Sequence, residues 1–162
     1  MNIVDKVIER KLTGIHILVA TFLGKMAEHG YLNQGALNLV IPEVTKNLVE
    51  YLKFKYPKAI NESMNEEEKI KKIMEILIKE LDPFPHPLIS LKNDKIDIAI
   101  ETNKCKFCPI GVGGAELPGT LCMFPELTRQ IINSMLNRSY EVSIPLTKIK
   151  GRCLFELREK VI

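Results

Sequence analysis

This sequence has no apolar run long enough to cross a bilayer. Its longest, Ile15 to Leu23, contains His16 and Thr21 and falls well below the roughly 20 residues a spanning helix needs. It also lacks a one-sided charge. Lys and Arg number 23 against 20 Asp and Glu, a net of +3, and the lysines are interleaved with glutamates. Nucleic-acid binders need a concentrated basic face, so nucleic acid is not an expected partner. Met1 to Lys11 reads as a charged amphipathic helix rather than a signal peptide, and a cytoplasmic location is expected. Histidine is scarce, with three residues, and no Ser-His-Asp or Cys-His order can be assembled from them. There is no βαβ alternation, internal repeat or low-complexity tract. Cysteine is nearly absent outside one region. Of four in the chain, three fall between Lys104 and Cys122, and the fourth is Cys153.

What is present is one domain's worth of core. The 162 residues are 46% hydrophobic and 27% charged, a composition typical of folded soluble domains. The periodicity divides them. Residues 1–82 read as helices, and 88–162 as a sheet with a cysteine loop and one helix. Ile3, Val4, Val7 and Ile8 mark a short first helix. Residues 15–29 form a second, apolar on all sides, which suits the centre of a domain or a dimer contact. Asn33 caps a third, with Leu37, Val40, Val44, Leu48, Tyr51 and Leu52 as its apolar positions and a kink or restart expected at Pro42. Asn65 and Glu68 form a capping box for a fourth, with Ile70, Ile73, Met74, Leu77, Ile78 and Leu81 inward. Beyond Pro87 the period changes to two. Ile96, Ile98 and Ile100 alternate with Asp97, Ala99 and Glu101, after a turn at Asn93-Asp94. A helix over 125–138 and a hairpin of 140–149 with 152–159 complete an α+β domain, helices first and then an antiparallel sheet with one inserted helix.

The chemistry lies in the cysteines. Cys105-x-x-Cys108 has the spacing that lets two thiolates on one turn hold one ion. Cys122 follows after 13 residues and Cys153 comes from the last hairpin, so Cys105, Cys108, Cys122 and Cys153 read as one tetrahedral metal site. Zinc is the first expectation and an iron–sulfur cluster the alternative, since both accept four thiolates. Four protein ligands close a zinc site, which makes it structural rather than catalytic. Lys104, Lys106 and Arg152 flank the ligands and are placed to offset the negative charge. The bland alternative keeps Cys122 and Cys153 as small buried residues. A redox CxxC should open a helix after a strand, and Pro109-Ile110-Gly111 is a poor helix start. Gly111-Val112-Gly113-Gly114 is not a phosphate cradle. Glu116 stands where a dinucleotide fingerprint needs glycine, and no P-loop lysine follows. His16 and His86 are secondary candidates, the first for facing a cavity and the second for supporting the metal.

The stretch from Cys105 through Cys108-Pro109-Ile110-Gly111-Val112-Gly113-Gly114, Pro118-Gly119 and Cys122 to Pro125 resembles the 4-vinyl reductase domain family, closest to its small stand-alone archaeal members. The resemblance continues through the 125–138 helix to the hairpin with Gly151 and Cys153. It implies the fold of heme-NO-binding sensors and of Golgi transport-complex subunits, with N-terminal helices packed on a twisted antiparallel sheet. It also implies that the four cysteines match the family's metal ligands, that the ligand is an apolar small molecule, and that the chain forms a homodimer. Heme-binding relatives carry Tyr-x-Ser-x-Arg. Here Tyr140-Glu141-Val142-Ser143 displaces the serine and lacks the arginine, so heme is not expected. The expected function is small-molecule binding or sensing by a single domain spanning 1–162. The alternatives are an enzyme or accessory in tetrapyrrole vinyl reduction, which would need a partner reductase, and a dimeric scaffold with a filled core. No catalytic residue is assigned.

Overall fold

The computed structural model describes residues 3–92 and 94–160. Helices α1 (Ile3–Arg10), α2 (Gly14–Glu28), α3 (Gln34–Lys55) and α4 (Glu66–Leu81) precede strands β1 (Leu88–Lys92) and β2 (Lys95–Glu101). Helix α5 (Phe124–Leu136) and strands β3 (Tyr140–Ile149) and β4 (Arg152–Glu159) follow. The strands form one antiparallel sheet in the order β1-β2-β4-β3. This is the α+β architecture that the periodicity predicts. Of the expected first turn, Asn93 lies outside the described residues, and Asp94 takes a left-handed φ of 62°.

The sheet's inner face is set by alternation. Ile96, Ile98 and Ile100 stand opposite Leu157, Phe155 and Cys153. Side chains of alternate strand residues share a face, so Cys153 joins Phe155 and Leu157 on the side that the core covers. Helix α5 lies at the centre of the packing, touching α3, α4, β3 and β4. Its Ile131 and Ile132 are fully buried, with Phe124 nearly so. Tyr140 at the start of β3 is anchored three ways. Its amide donates to Asn133 Oδ1 (2.7 Å), Asn133 Nδ2 donates to its carbonyl (2.9 Å), and its hydroxyl donates to Glu66 Oε1 (2.8 Å).

Local rules account for most helix ends. Asn65 and Glu68 form the expected capping box, each side chain accepting from the other's amide at 2.9 Å. Asn33 Oδ1 accepts from the Ala36 amide at 2.9 Å. His16 closes the start of α2: its Nδ1 accepts from the Thr13 amide at 3.0 Å, which leaves Nε2–H to donate to Leu81 O at 3.3 Å. Both ring nitrogens are committed, and the ring packs edge-on against Phe107. His16 is thus a structural cap, while His86 is exposed.

Helix α3 departs from the sequence reading twice. It does not restart at Pro42 but runs from Gln34 to Lys55. Its buried stripe is Leu37, Ile41, Thr45, Val49 and Leu52, while Val40, Val44 and Tyr51 are exposed. The helix is apolar on two faces, and the core takes the one that carries Thr45, whose hydroxyl is satisfied by Ile41 O at 2.6 Å.

A polar cluster joins the end of α3 to α4. Glu80 accepts hydrogen bonds from the Tyr56 hydroxyl, from the Tyr51 hydroxyl at 2.7 Å and from Lys55 Nζ at 2.9 Å. Chiefly through Tyr56, then Tyr51 and Lys55, the carboxyl is held down to about 2 from its usual 4.5. A lowered carboxylate pKa stabilises the fold above the unfolded-state value, and that contribution disappears as the group protonates. The stability gap between wild type and Glu80→Gln should therefore be constant above about pH 5 and close as the pH falls toward about 2. Urea midpoints measured across that range test this. A gap that stays open at the acid end would contradict it.

Candidate metal and ligand site

The loop between β2 and α5 holds Cys105 and Cys108, and Cys122 stands just before α5. Strand β4 brings in Cys153 opposite Ile100. None is in a disulfide. All four line one cavity of about 240 Å³, together with Leu23, Leu37, Ile100, Leu121, Phe124, Leu146 and Arg10. The sequence singles out these four cysteines by their spacing. It does not reveal that they form part of the wall of an apolar-lined cavity. As the side chains stand, no three His, Cys, Asp or Glu groups among the described residues are gathered tightly enough to hold a metal ion.

The backbone around the thiols is fixed from several directions. Gln34, at the start of α3, clamps Cys122: its Oε1 accepts from the Cys122 amide (2.8 Å) and its Nε2 donates to the Cys122 carbonyl (2.9 Å). Arg10 Nη1 donates to the Cys105 carbonyl at 2.7 Å. After Cys108 the chain turns back tightly, with the Val112 and Gly113 amides both donating to the Cys108 carbonyl (2.8 and 3.1 Å). Thr102 reaches Gly151 O through its amide and its hydroxyl, both at 3.0 Å, tying the end of β2 to the hairpin that carries Cys153.

The glycine-rich run is a packing device. A Cβ on Gly113 would lie 2.3 Å from Ala20 O and 2.5 Å from Pro109 O. On the facing side of α2, Gly24 meets Ala115 and the Pro109 carbonyl in the same way. Ala20 and Gly24 thus give α2 a small-residue face that receives the loop. Leu12, Ala20 and Val112 make a separate small core there, supported by Val7 and Ile17. The cysteine loop joins α1–α2 to the rest of the molecule, alongside the His16–Leu81 hydrogen bond and the packing of Val19, Leu23 and Ala27 on the main core.

The electrostatics of the thiols are dominated by burial. It pushes Cys105 up to about 12, with repulsion from Cys108 adding to it and a hydrogen bond from the Phe107 amide opposing it. Cys122 is raised by burial and then by Cys105, against a hydrogen bond from the Phe124 amide. Cys153 is raised by burial while Lys148 pulls it down. Cys108 Sγ accepts from the Gly111 amide at 3.1 Å. Three backbone amides therefore point at three sulfurs, an arrangement that favours thiolate over thiol. Without a cation, burial disfavours the charged form of Cys105, Cys122 and Cys153. With one, their pre-aimed amides suit a thiolate shell.

Lys106 is buried but pairs with Asp82 at 2.5 Å, and Arg152 is exposed. The cation beside the thiols is Arg10, from the first helix. Nothing in the local sequence marks it, since its partners lie more than 90 positions away.

Fold and site together define a small α+β domain that gathers four thiols on one apolar cavity. The chain matches the MJ0207 family over residues 30–159 and belongs to that family. The match includes all four cysteines and begins after α2. The chain is also similar to the uncharacterized protein MJ1342 of Methanocaldococcus jannaschii, 27% identical over 113 residues, which are 64% of this chain and 93% of that protein. No helix among the described residues is long and apolar enough to cross a membrane.

Proposed function

We propose that the chain binds or senses an apolar small molecule in a cavity braced by a structural metal held by Cys105, Cys108, Cys122 and Cys153. The observation that carries the reading is the convergence of four cysteines, otherwise scattered over 49 positions of sequence, on one cavity with apolar walls. Zinc is the proposed ion, and an iron–sulfur cluster would use the same ligands. When bound, the ion supplies a cross-link between loop, helix start and strand. Loading requires the thiol side chains to turn inward from a backbone that is already anchored. The likeness of residues 105–125 to 4-vinyl reductase domains supports the same reading.

A homodimer completes the proposal. Ile15, Leu18 and Phe22 lie along one exposed side of α2, and Val40, Val44 and Tyr51 along one of α3. Phe22 is 60% exposed. Apolar rows of this kind mark interaction surfaces, and a second copy is the proposed occupant.

An apolar, environment-sensitive dye tests the ligand site. It should bind at about one per chain, as one apolar-lined cavity allows. Leu121→Trp, which fills the cavity, should abolish binding while leaving the fold intact by circular dichroism. Dye binding that survives this substitution would place the site elsewhere and remove the basis of the proposal.

A further inference from the structure

We infer that Arg10 is the buried counter-cation of the four-thiolate metal centre, joining α1 to it by charge as well as by hydrogen bonding. The inference rests on the metal reading above and gives a role to a residue that reading does not use. Arg10 is 9% exposed, yet it lies in the cavity wall beside the cysteines. Both of its hydrogen bonds to described residues run from Nη1, to Cys105 O at 2.7 Å and to Thr102 O at 3.5 Å. Its Nε is buried with no partner among the described residues. No ion pair among the described residues joins it to a carboxylate.

A buried guanidinium without an anion is costly, because buried charges require a paired charge. Among the described residues that line the cavity with Arg10 there is no Asp or Glu, and the thiols are the groups that can supply an anion. A Cβ on Gly111 would lie 3.1 Å from Arg10 Nη1 and 3.3 Å from both Nη2 and Cys108 Sγ. One small residue therefore separates the guanidinium from a sulfur. Four thiolates on a divalent ion carry a net charge of −2. The guanidinium halves this, and Lys148 stands at the exposed rim to offset the remainder. Lys106 is not available, being paired with Asp82. The arrangement has opposite effects in two states. With metal, Arg10 is paired and stabilising. Without it, no ion pair among the described residues neutralises Arg10.

Two variants test the charge. Arg10→Gln removes it, and its shorter side chain also gives up the reach to Cys105 O, while Arg10→Lys keeps the charge. Zinc affinity is read by competition with a chromophoric chelator, and stability by urea unfolding of the zinc-loaded and metal-free proteins. Arg10→Gln should bind zinc at least about tenfold more weakly, in the range seen when groups around a metal's ligands are removed. Its metal-free form should be as stable as wild type or more so. Arg10→Lys should stay within about threefold of wild type. Equal loss of stability with and without zinc, or unchanged affinity in Arg10→Gln, would overturn this inference alone. A wild-type protein that binds no zinc would overturn the metal reading and this inference with it.

Discussion

Replacing Cys105 with serine should release the metal and destabilise the protein by at least about 3 kcal/mol. At a structural four-thiolate site the binding free energy is folding free energy, on the order of 10 kcal/mol or more for the full shell. Losing one ligand from such a shell forfeits a large part of it. The loss here would fall on the joint between α1–α2 and the rest of the molecule, since the loop is what those helices pack against. In chelator-treated protein the same substitution removes only a small buried group, and its cost should drop to about 1 kcal/mol. The difference between the two measurements isolates the metal's contribution. The account also requires Cys108→Ser, Cys122→Ser and Cys153→Ser to behave alike when metal is present. If the cysteines were ordinary buried residues, the costs would follow burial instead. The well-buried Cys105 would then lead, and the part-exposed Cys153 would matter little. Unfolding curves for the four variants, with and without chelator, distinguish these outcomes.

The second large effect is expected at Gly113. Its Cβ would meet two main-chain carbonyl oxygens, Ala20 O at 2.3 Å and Pro109 O at 2.5 Å. Neither is the end of a flexible side chain, so the loop or α2 itself must shift. Overpacking of this kind costs about 3 kcal/mol at its upper end, and Gly113→Ala should reach that. Two neighbours calibrate the result. Gly114 has open space around it but a φ of +71°, so Gly114→Ala should cost about 1 kcal/mol through backbone strain alone. Gly119 has neither close neighbours nor a left-handed backbone, and Gly119→Ala should be neutral or slightly stabilising. Thermal unfolding of the three variants should rank them in that order. A Gly113→Ala protein as stable as wild type would mean that the loop does not pack against α2 as described.

Much of the fold could be read from the chain because it depends on local chemistry. The Asn65–Glu68 capping box, the alternation of Ile96, Ile98 and Ile100, and the turn at Gly151 are each determined by residues within a few positions. The cysteine cluster could be read for another reason. Four residues of a scarce type at ligand-like spacing constrain one another, even when one comes from the last hairpin. The failures have equally specific causes. Helix α3 offers two apolar stripes, and its periodicity satisfies both. Only packing, chiefly against α5, selects Ile41 and Val49 over Val40 and Val44. His16 reads as a lone histidine on an apolar helix, more often a satisfied residue than a ligand, and it is satisfied, but its partners are backbone groups at Thr13 and Leu81, which leave no trace in side-chain pattern. Arg10 was hidden for the same reason. The sequence pointed to the flanking lysines as charge compensators, but Lys106 is taken by Asp82 and the guanidinium arrives from the other end of the chain. The structure puts the cysteines in the wall of an apolar cavity. That changes what the loop is for. It holds the helices together and forms part of the surface that a ligand would touch.

The central claim is that Cys105, Cys108, Cys122 and Cys153 act as one metal centre. Elemental analysis of the purified protein, combined with thiol titration, tests it most directly. The account predicts about one zinc per chain, as a closed four-ligand site requires, with all four thiols protected until a strong chelator is added. Iron and sulfide in place of zinc would keep the four-ligand centre and change its occupant. A folded protein carrying neither, with its accessible thiols reacting before any chelator is present, would contradict the claim.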